Sequence, residues 1–487
     1  MKTFQDWSMV AGKDEKTRMD FIYSTIGEFK ATDEYAIATD AEDYYKGLNP
    51  TIMRYEKFIF NALGQAVKDD ISPNHKIVSK IFKRFVIQED LVLLGNGVTW
   101  LNESTTKKLG KNFDRQLYKA ARTSIVQRAS YGFFNKDHVD VFEFREFIAL
   151  EDEENGSIKA GIRFWQVEDG KPLRATMYEE DGYTDYIWRT RKITKDGVEQ
   201  TEVFGEVLHE KQKYKITVSK APVDSEEEIV KEENYPSFPI VPLYANEEHQ
   251  SEIIGQRGKI DAFDLISSGY VNAEDENFIY WTISNAGGMD DTDLIKVLDK
   301  LRKLHMSQVD DDAQLTPHTI DAPFLGREAI LDRLEKQIYR DAMALNTYDI
   351  AAGAVTATQI EASYEPLNQK LDLFEMQVLD FLDKICTLAG IPDEKPTFTR
   401  SKIVNRAEEI SVILQASQFL GQEYVTKKIL TLLGDKDAYE DVQKEIDAEE
   451  QEKMALFAMQ NGVAPEGAAE ETPPEGEEGE EVAPKEE

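Results

Sequence analysis

The longest run of regularly spaced apolar positions lies between residues 358 and 388. Ile360, Tyr364, Leu367, Leu371, Phe374, Val378, Leu382 and Ile385 recur at alternating threes and fours, the spacing of one helix face. Thr358, with Glu361 three residues on, is a capping-box signature for its start. Pro366 inside the run removes a backbone hydrogen bond and crowds the preceding turn, which predicts a kink near residues 362–365. A second helix is predicted over 327–345, with Ile330, Leu331, Leu334, Ile338 and Leu345 on one face. Between the two lies a small-residue, nearly uncharged loop, 346–357, containing Gly353.

Elsewhere the pattern changes character. Residues 1–50 are polar and weakly periodic, an arm with short helices. Helices are predicted over 50–67 (Ile52, Tyr55, Ile59, Leu63), 75–85 and 117–131, with an apolar stretch Leu91–Leu94 running into a turn at Gly95–Gly97. From 139 to 218 the chain is strand-rich, with turns at 152–156, 169–170 and 196–197. Turn signals every ~10 to 15 residues predict an antiparallel sheet. The acidic run 224–233 predicts a solvated loop, and three prolines within 235–244 an extended boundary. A helix over 251–275 follows. Then comes a small α/β segment: strand 278–283, turn Gly287–Gly288, helix 293–304, strand 306–309 and an exit at Thr316-Pro317. Residues 406–433 are helical with a break at Gly421 and a C-cap at Gly434; 437–460 is a polar helix. The last ~25 residues are Glu, Pro, Gly and Ala, a disordered tail. The fold class is α+β.

Composition adds constraints. At 487 residues and 41% apolar, the chain can bury real cores in about three domains. The net charge is −36, of which the tail from Pro465 supplies roughly nine, so the folded part is acidic too. Such a balance repels nucleic acid at long range and argues against a tight DNA binder, but not against a surface that DNA slides past. The single cysteine, Cys386, falls on the apolar side of a helix and is expected to be a buried thiol; no disulfide framework is possible within the chain. The first residues contain no apolar signal region and no stretch approaches ~18 apolar residues, so an intracellular product that spans no membrane is expected.

No catalytic, metal or cofactor site emerges. Gly255–Lys259 resembles a fragment of a phosphate loop, but Ile253 stands where the first glycine belongs and Ile260 where Ser or Thr belongs. The six histidines are dispersed without metal spacing, and Asp310–Asp312 reads as a solvated turn. The residues alone leave open an acidic metal-dependent hydrolase or nuclease whose site forms only in three dimensions, and a monomeric helical adaptor.

Three stretches carry a family resemblance: Phe238–Asn246 leading into Lys259–Asp264; Arg145–Glu153 with Ala160–Arg163; and the helix–loop–helix over 327–390. In this order they resemble the portal protein of tailed double-stranded DNA bacteriophages, of the long-tailed type from Gram-positive hosts. The resemblance implies a portal fold and a ring, usually of twelve copies, at one capsid vertex, with no enzymatic activity and no cofactor. Its parts would be an N-terminal arm (1–50), an α/β wing (51–250), a stem of two helices (251–277 and 326–345), a small α/β clip (278–325), a tunnel loop (346–357), a kinked wing helix (358–400), an all-α crown (401–460) and the acidic tail (461–487). The tunnel loop would present Thr347, Tyr348, Asp349, Ala351, Gly353, Val355 and Thr356 to DNA. Arg257, Lys259, Arg333, Lys336 and Arg340 are the stem's candidates for the lumen. Implied partners are other copies of the chain, double-stranded DNA, the terminase large subunit, a head-completion adaptor, scaffold and major capsid protein. The implied location is the virion, with assembly in the host cytoplasm.

Overall fold

A computed structural model describes residues 1–60, 64–70, 72–102, 104–195, 198–220, 228–275, 279–284, 290, parts of 292–300, 314–319, 324–348, 357–401, 406–434 and scattered positions from 439 to 453. The chain divides into two compact units, Met1–Lys402 and Ile403–Glu487. It mixes helix and sheet, as the α+β class requires.

The first unit is layered around β4 (Ala129–Asn135). Together with β5 (His138–Glu143) and β13 (Ile240–Tyr244) it makes a three-stranded antiparallel sheet in the order β13-β4-β5. Side chains alternate along β4. Ser130 donates to the Ala120 carbonyl of α7 (Phe113–Gln127) at 2.8 Å, and Gly132 lies against Phe381 of a later helix. A β-carbon at Gly132 would meet that ring at 2.6 Å, so only glycine lets the helix seat so closely. The alternate residues of the strand point the other way. Tyr131 packs on Phe147 at 4.5 Å between ring centroids and Phe133 on Tyr178 at 5.4 Å. Those partners belong to a five-stranded antiparallel sheet, β6 (Phe147–Glu151), β7 (Ile158–Trp165), β8 (Leu173–Glu179), β9 (Gly182–Lys195) and β10 (Val198–Gln212), ordered β10-β9-β8-β7-β6. The strand-rich pattern of 139–218 is thus realised as antiparallel pairing.

The polar N-terminal stretch forms α1 (Phe4–Ala11), α2 (Glu15–Lys30) and α3 (Asp33–Lys46), capped by Thr3, Asp14 and Thr32. They are docked rather than loose. Trp7, Ile22, Ile26, Phe29 and Tyr44 are buried, and Trp7 donates to Glu179 at 2.9 Å. Few apolar residues suffice because each sits on a sheet or helix already built.

Several local expectations are overturned. The helix predicted over 50–67 is one turn, α4 (Pro50–Met53), followed by the hairpin β1 (Phe58–Phe60) and β2 (Ala66–Lys68), turned at Gly64 with φ of +71°. Residues 75–79 are extended, not helical; α5 runs Ile81–Leu94 and absorbs the Leu91–Leu94 stretch. The helix expected to reach Tyr131 stops at Gln127, because Arg128 takes a positive φ of 88° that starts β4. The acidic loop over 224–233 contains β12 (Glu228–Glu233), paired with β11 (Lys215–Lys220). The helix expected from Ser251 begins at Arg257 as α8 (Arg257–Asp275), after a turn with Gly255 at φ +81°. Thr316-Pro317 is no exit: β15 (Gln314–Thr319) pairs with β14 (Ile279–Ser284), and a two-stranded sheet tolerates proline because both its strands are edges. The segment's turn at 287–288 and strand at 306–309 lie outside the described residues.

The helix predicted over 327–345 is α9 (Phe324–Asp341), and the long periodic run is α10 (Ala357–Leu388), one continuous helix through Pro366. At 32 residues it is about 48 Å long. Tyr364, Leu367, Leu371, Phe374, Val378, Leu382 and Ile385 are all buried, as their spacing predicts. Cys386 is buried too, and burial pushes its thiol up to about 11. The second unit contains α11 (Arg406–Ala416) and α12 (Gln422–Leu433), interrupted at Gly421 and closed by Gly434 at φ +98°.

Beneath α10 lies a buried charge cluster. Lys370 reaches Glu89 of α5 and Glu252, each at 2.9 Å. Burial alone would discharge this ammonium, but the two carboxylates hold it above the ordinary lysine value. Glu89 is pushed upward by its own burial against the pull of Lys370. The neighbouring Asp90 is fully buried, and neither carboxyl oxygen has a partner among the described residues. Burial, then Glu89, raise it well above the carboxylate range. Once unfolded, Asp90 ionises above about pH 3.9. Folding must then return its proton, so stability is lost as pH rises from that value toward the folded one. Asp90→Asn is expected to raise the melting temperature at pH 7, with the gain shrinking to nothing below pH ~4. Thermal melts of both chains across pH 3.5–7.5 check this.

Candidate functional site

The candidate site is the helix pair α8–α9 with the loop beyond it. The two helices run antiparallel, as contacts at both ends show. Lys259 pairs with Asp341 at 2.5 Å; toward the other end Tyr270 meets Phe324 edge-on at 5.4 Å and Arg327 donates to the Gly269 carbonyl at 3.2 Å. The two-stranded β14–β15 sheet lies in the connection between them. Nineteen residues make α8 about 28 Å long.

What fixes α8 to the α/β body is a polar ladder. Asp264, Ser268 and Asn272, four residues apart, are buried. They accept the backbone N–H groups of Ser79, Ile77 and His75 at 2.9, 2.9 and 2.6 Å. The match is geometric: four helical residues advance about 6 Å, and two extended residues about 6.6 Å. Asp264 also accepts from Asn49 at 2.8 Å, and Asp261 from Thr51 at 3.0 Å and from the Tyr44 hydroxyl. This ladder also explains why 75–79 is not helical. Its amide protons are claimed from outside.

At the far end of α9, Gln88 of α5 clamps Leu345 twice, accepting its N–H at 2.9 Å and donating to its carbonyl at 3.2 Å. Phe85 packs edge-on against Tyr339 at 5.2 Å. The chain leaves this clamp at Asn346, whose side chain accepts from the Tyr348 N–H at 3.1 Å. Tyr348 is 65% exposed. Of the loop residues singled out from sequence, Thr347 and Tyr348 are described; Asp349, Ala351, Gly353, Val355 and Thr356 lie outside the described residues, as does Asp310–Asp312.

The five basic candidates fall into two groups. Arg257 pairs with Asp40 of α3 at 2.8 Å and lies over the Tyr44 ring, and Lys259 is tied to Asp341. Both are held within the chain. Arg333, Lys336 and Arg340 share one exposed face of α9, where with Ala329, Asp332 and Gln337 they line an open groove of about 460 Å³. Lys336 also pairs with Asp332 at 3.3 Å. Sequence reasoning missed the Asp264–Ser268–Asn272 ladder and the Lys370 cluster. Three polar residues at four-residue spacing in one helix were the legible trace of the first. Among the described residues no group of three or more His, Cys, Asp or Glu is arranged to hold a metal, and no helix is long and apolar enough to cross a membrane.

The described residues thus present an antiparallel helix pair pinned to an α/β body, with a basic face on α9; comparison with known proteins specifies the class of protein. Residues 30–453 match the family model "Phage portal protein, SPP1 Gp6-like", and the chain belongs to this family. It is 27% identical over 196 residues to the portal protein of Clostridium phage phiCD119, a match covering 38% of this chain and 44% of that one. It is 22% identical over 397 residues to the portal protein of Bacillus phage SPP1, covering 75% and 74%. The chain thus spans under half of the first relative and about three quarters of the second.

Proposed function

We propose that this portal protein assembles as a ring, of about twelve copies, at one vertex of the capsid, and that DNA enters and leaves the head through its centre. Residues 51–250 and 358–400 form the wing, α8 and α9 the stem, 278–325 the clip, 346–357 the tunnel loop and 401–460 the crown, with the acidic tail beyond. The clip docks the terminase large subunit during packaging and the head-completion adaptor afterwards; the outer surface meets scaffold and major capsid protein. The chain does no chemistry of its own, and its place is the virion after assembly in the host cytoplasm.

The observation that carries this reading is the family match from residue 30 to 453, which spans the wing, stem, clip and tunnel loop and all but the last residues of the crown. The physics supports it. Duplex DNA carries a charge about every 1.7 Å, so a strongly basic collar would hold it still. A ring of Thr347, Tyr348, Ala351, Gly353, Val355 and Thr356 touches it sterically and lets it move, while Asp349 repels phosphate. On the stem, Arg333, Lys336 and Arg340 are the candidates for sparse contacts; Arg257 and Lys259 are engaged internally.

Native mass spectrometry and negative-stain imaging at low salt test the assembly. Rings of about a dozen subunits with a central hole are expected; a 55.5 kDa monomer at every concentration defeats the reading. In a packaging assay, Gly353→Pro is expected to stop DNA translocation and Tyr348→Ala to slow it, with rings of unchanged size. Packaging at the wild-type rate in both removes the loop from the channel.

A further inference from the structure

Strands β9 and β10 are twice as long as the sheet they belong to. β8 pairs with β9 only as far as Trp188, and beyond that β9 and β10 continue together to Lys195 and Val198. The seven residues past Trp188 carry this two-stranded ribbon about 23 Å clear of the sheet. Among the described residues no strand pairs with the outer edge of β9 beyond Trp188, nor with the outer edge of β10. The ribbon therefore has two free backbone edges.

Its charges are sorted by strand. Beyond Trp188, β9 carries Arg189, Arg191, Lys192 and Lys195 and no acidic residue; from Val198 to Glu206, β10 carries Glu199, Glu202 and Glu206 and no basic one, its only lysine, Lys211, lying beside the body of the sheet. Arg189, Arg191, Glu202 and Glu206 are all at least partly exposed. Charge placed only to blunt an edge needs no such sorting, since any like charge keeps strangers off.

We propose that the outer edge of β9 in one subunit pairs with the outer edge of β10 in the next, so that the wing ribbons join into an intersubunit sheet. The proposal rests on the ring reading above. β9 meeting a second β9, or β10 a second β10, sets like charges opposite one another and is disfavoured. β9 meeting β10 sets cations against carboxylates, and the strands run antiparallel when neighbours are related by rotation about one axis. The sorted charges thus favour head-to-tail contact, the kind that closes a ring, over two-fold pairing.

The test uses the full chain with Arg189→Glu, Arg191→Glu, Glu202→Arg and Glu206→Arg combined. Pairs within one ribbon, Arg189–Glu206 and the facing Arg191 and Glu202, survive as their mirror images. Homotypic contacts between swapped chains stay complementary at the four exchanged positions, with Lys192, Lys195 and Glu199 common to both chains. A wild-type ribbon beside a swapped one meets like charge on both sides. Each chain alone is expected to form rings. Co-assembled from an equimolar mixture, with one chain isotope-labelled, mixed rings should fall about tenfold or more below the binomial expectation in native mass spectra. Binomial mixing overturns the ribbon contact and leaves the ring reading intact. A swapped chain that melts like wild type but forms no rings overturns it as well. Absence of rings from wild type alone is the separate failure of the ring reading.

Discussion

Replacing Lys370 with methionine is expected to destabilise the unit Met1–Lys402 by about 3–5 kcal/mol, the typical loss when a buried ion pair is broken from one side. The lysine side chain is 15% exposed and that of Glu89 4%, so no water can replace the lost cation at Glu89. Glu252, at 26%, turns outward more easily. The damage should therefore follow Glu89. The double change Lys370→Met with Glu89→Leu is expected to recover most of the loss, because it removes the stranded carboxylate along with the cation. Denaturant unfolding of the wild type, both single variants and the double variant closes the cycle. If the double variant is as unstable as the sum of the singles, Lys370 and Glu89 are not coupled.

Asp264→Ala carries the second large effect, about 2–4 kcal/mol, from two hydrogen bonds to a buried carboxylate lost together. Asp264→Asn should cost less, and for an asymmetric reason. An amide oxygen still accepts the Ser79 N–H, but its NH₂ faces that of Asn49. Asn49 cannot flip to meet it, because its oxygen already caps α4 by accepting from Thr51 and Ile52 at 3.0 and 3.3 Å. The ladder is what joins α8 to residues 75–79, so protection of the Ser79, Ile77 and His75 amides from hydrogen exchange should fall first in the alanine variant. Unchanged exchange at those three amides, with stability within 0.5 kcal/mol of wild type (about the scatter of a neutral surface substitution), discards the ladder as the anchor of the stem.

Local sequence was decisive wherever one helix or strand could bury its own stripe. The positions from Tyr364 to Ile385 were legible because a 3.6-residue period over some thirty residues has one physical solution, and the packing obeys it. The antiparallel sheet was legible from alternation and turn residues, the Gly421 break and Gly434 cap from glycine's freedom at a helix end, and the buried Cys386 from its place on the stripe. The order of short motifs also pointed to the portal family, which the match over 30–453 bears out.

Tertiary structure decided the rest. Residues 75–85 have a helix's periodicity, yet 75–79 is drawn out straight because Asp264, Ser268 and Asn272, nearly two hundred residues later, claim alternate amides. Residues 50–67 have the spacing of a helix and the alternation of a hairpin, and a turn at Gly64 favours the second. Arg257 and Lys259 look like free stem cations in sequence; only the fold brings Asp40 and Asp341 to them. Helical period and strand alternation are properties of a dozen neighbouring residues. Which amide a distant carboxylate reaches, and which lysine is matched or left to face a groove, depends on parts of the chain that meet only after folding.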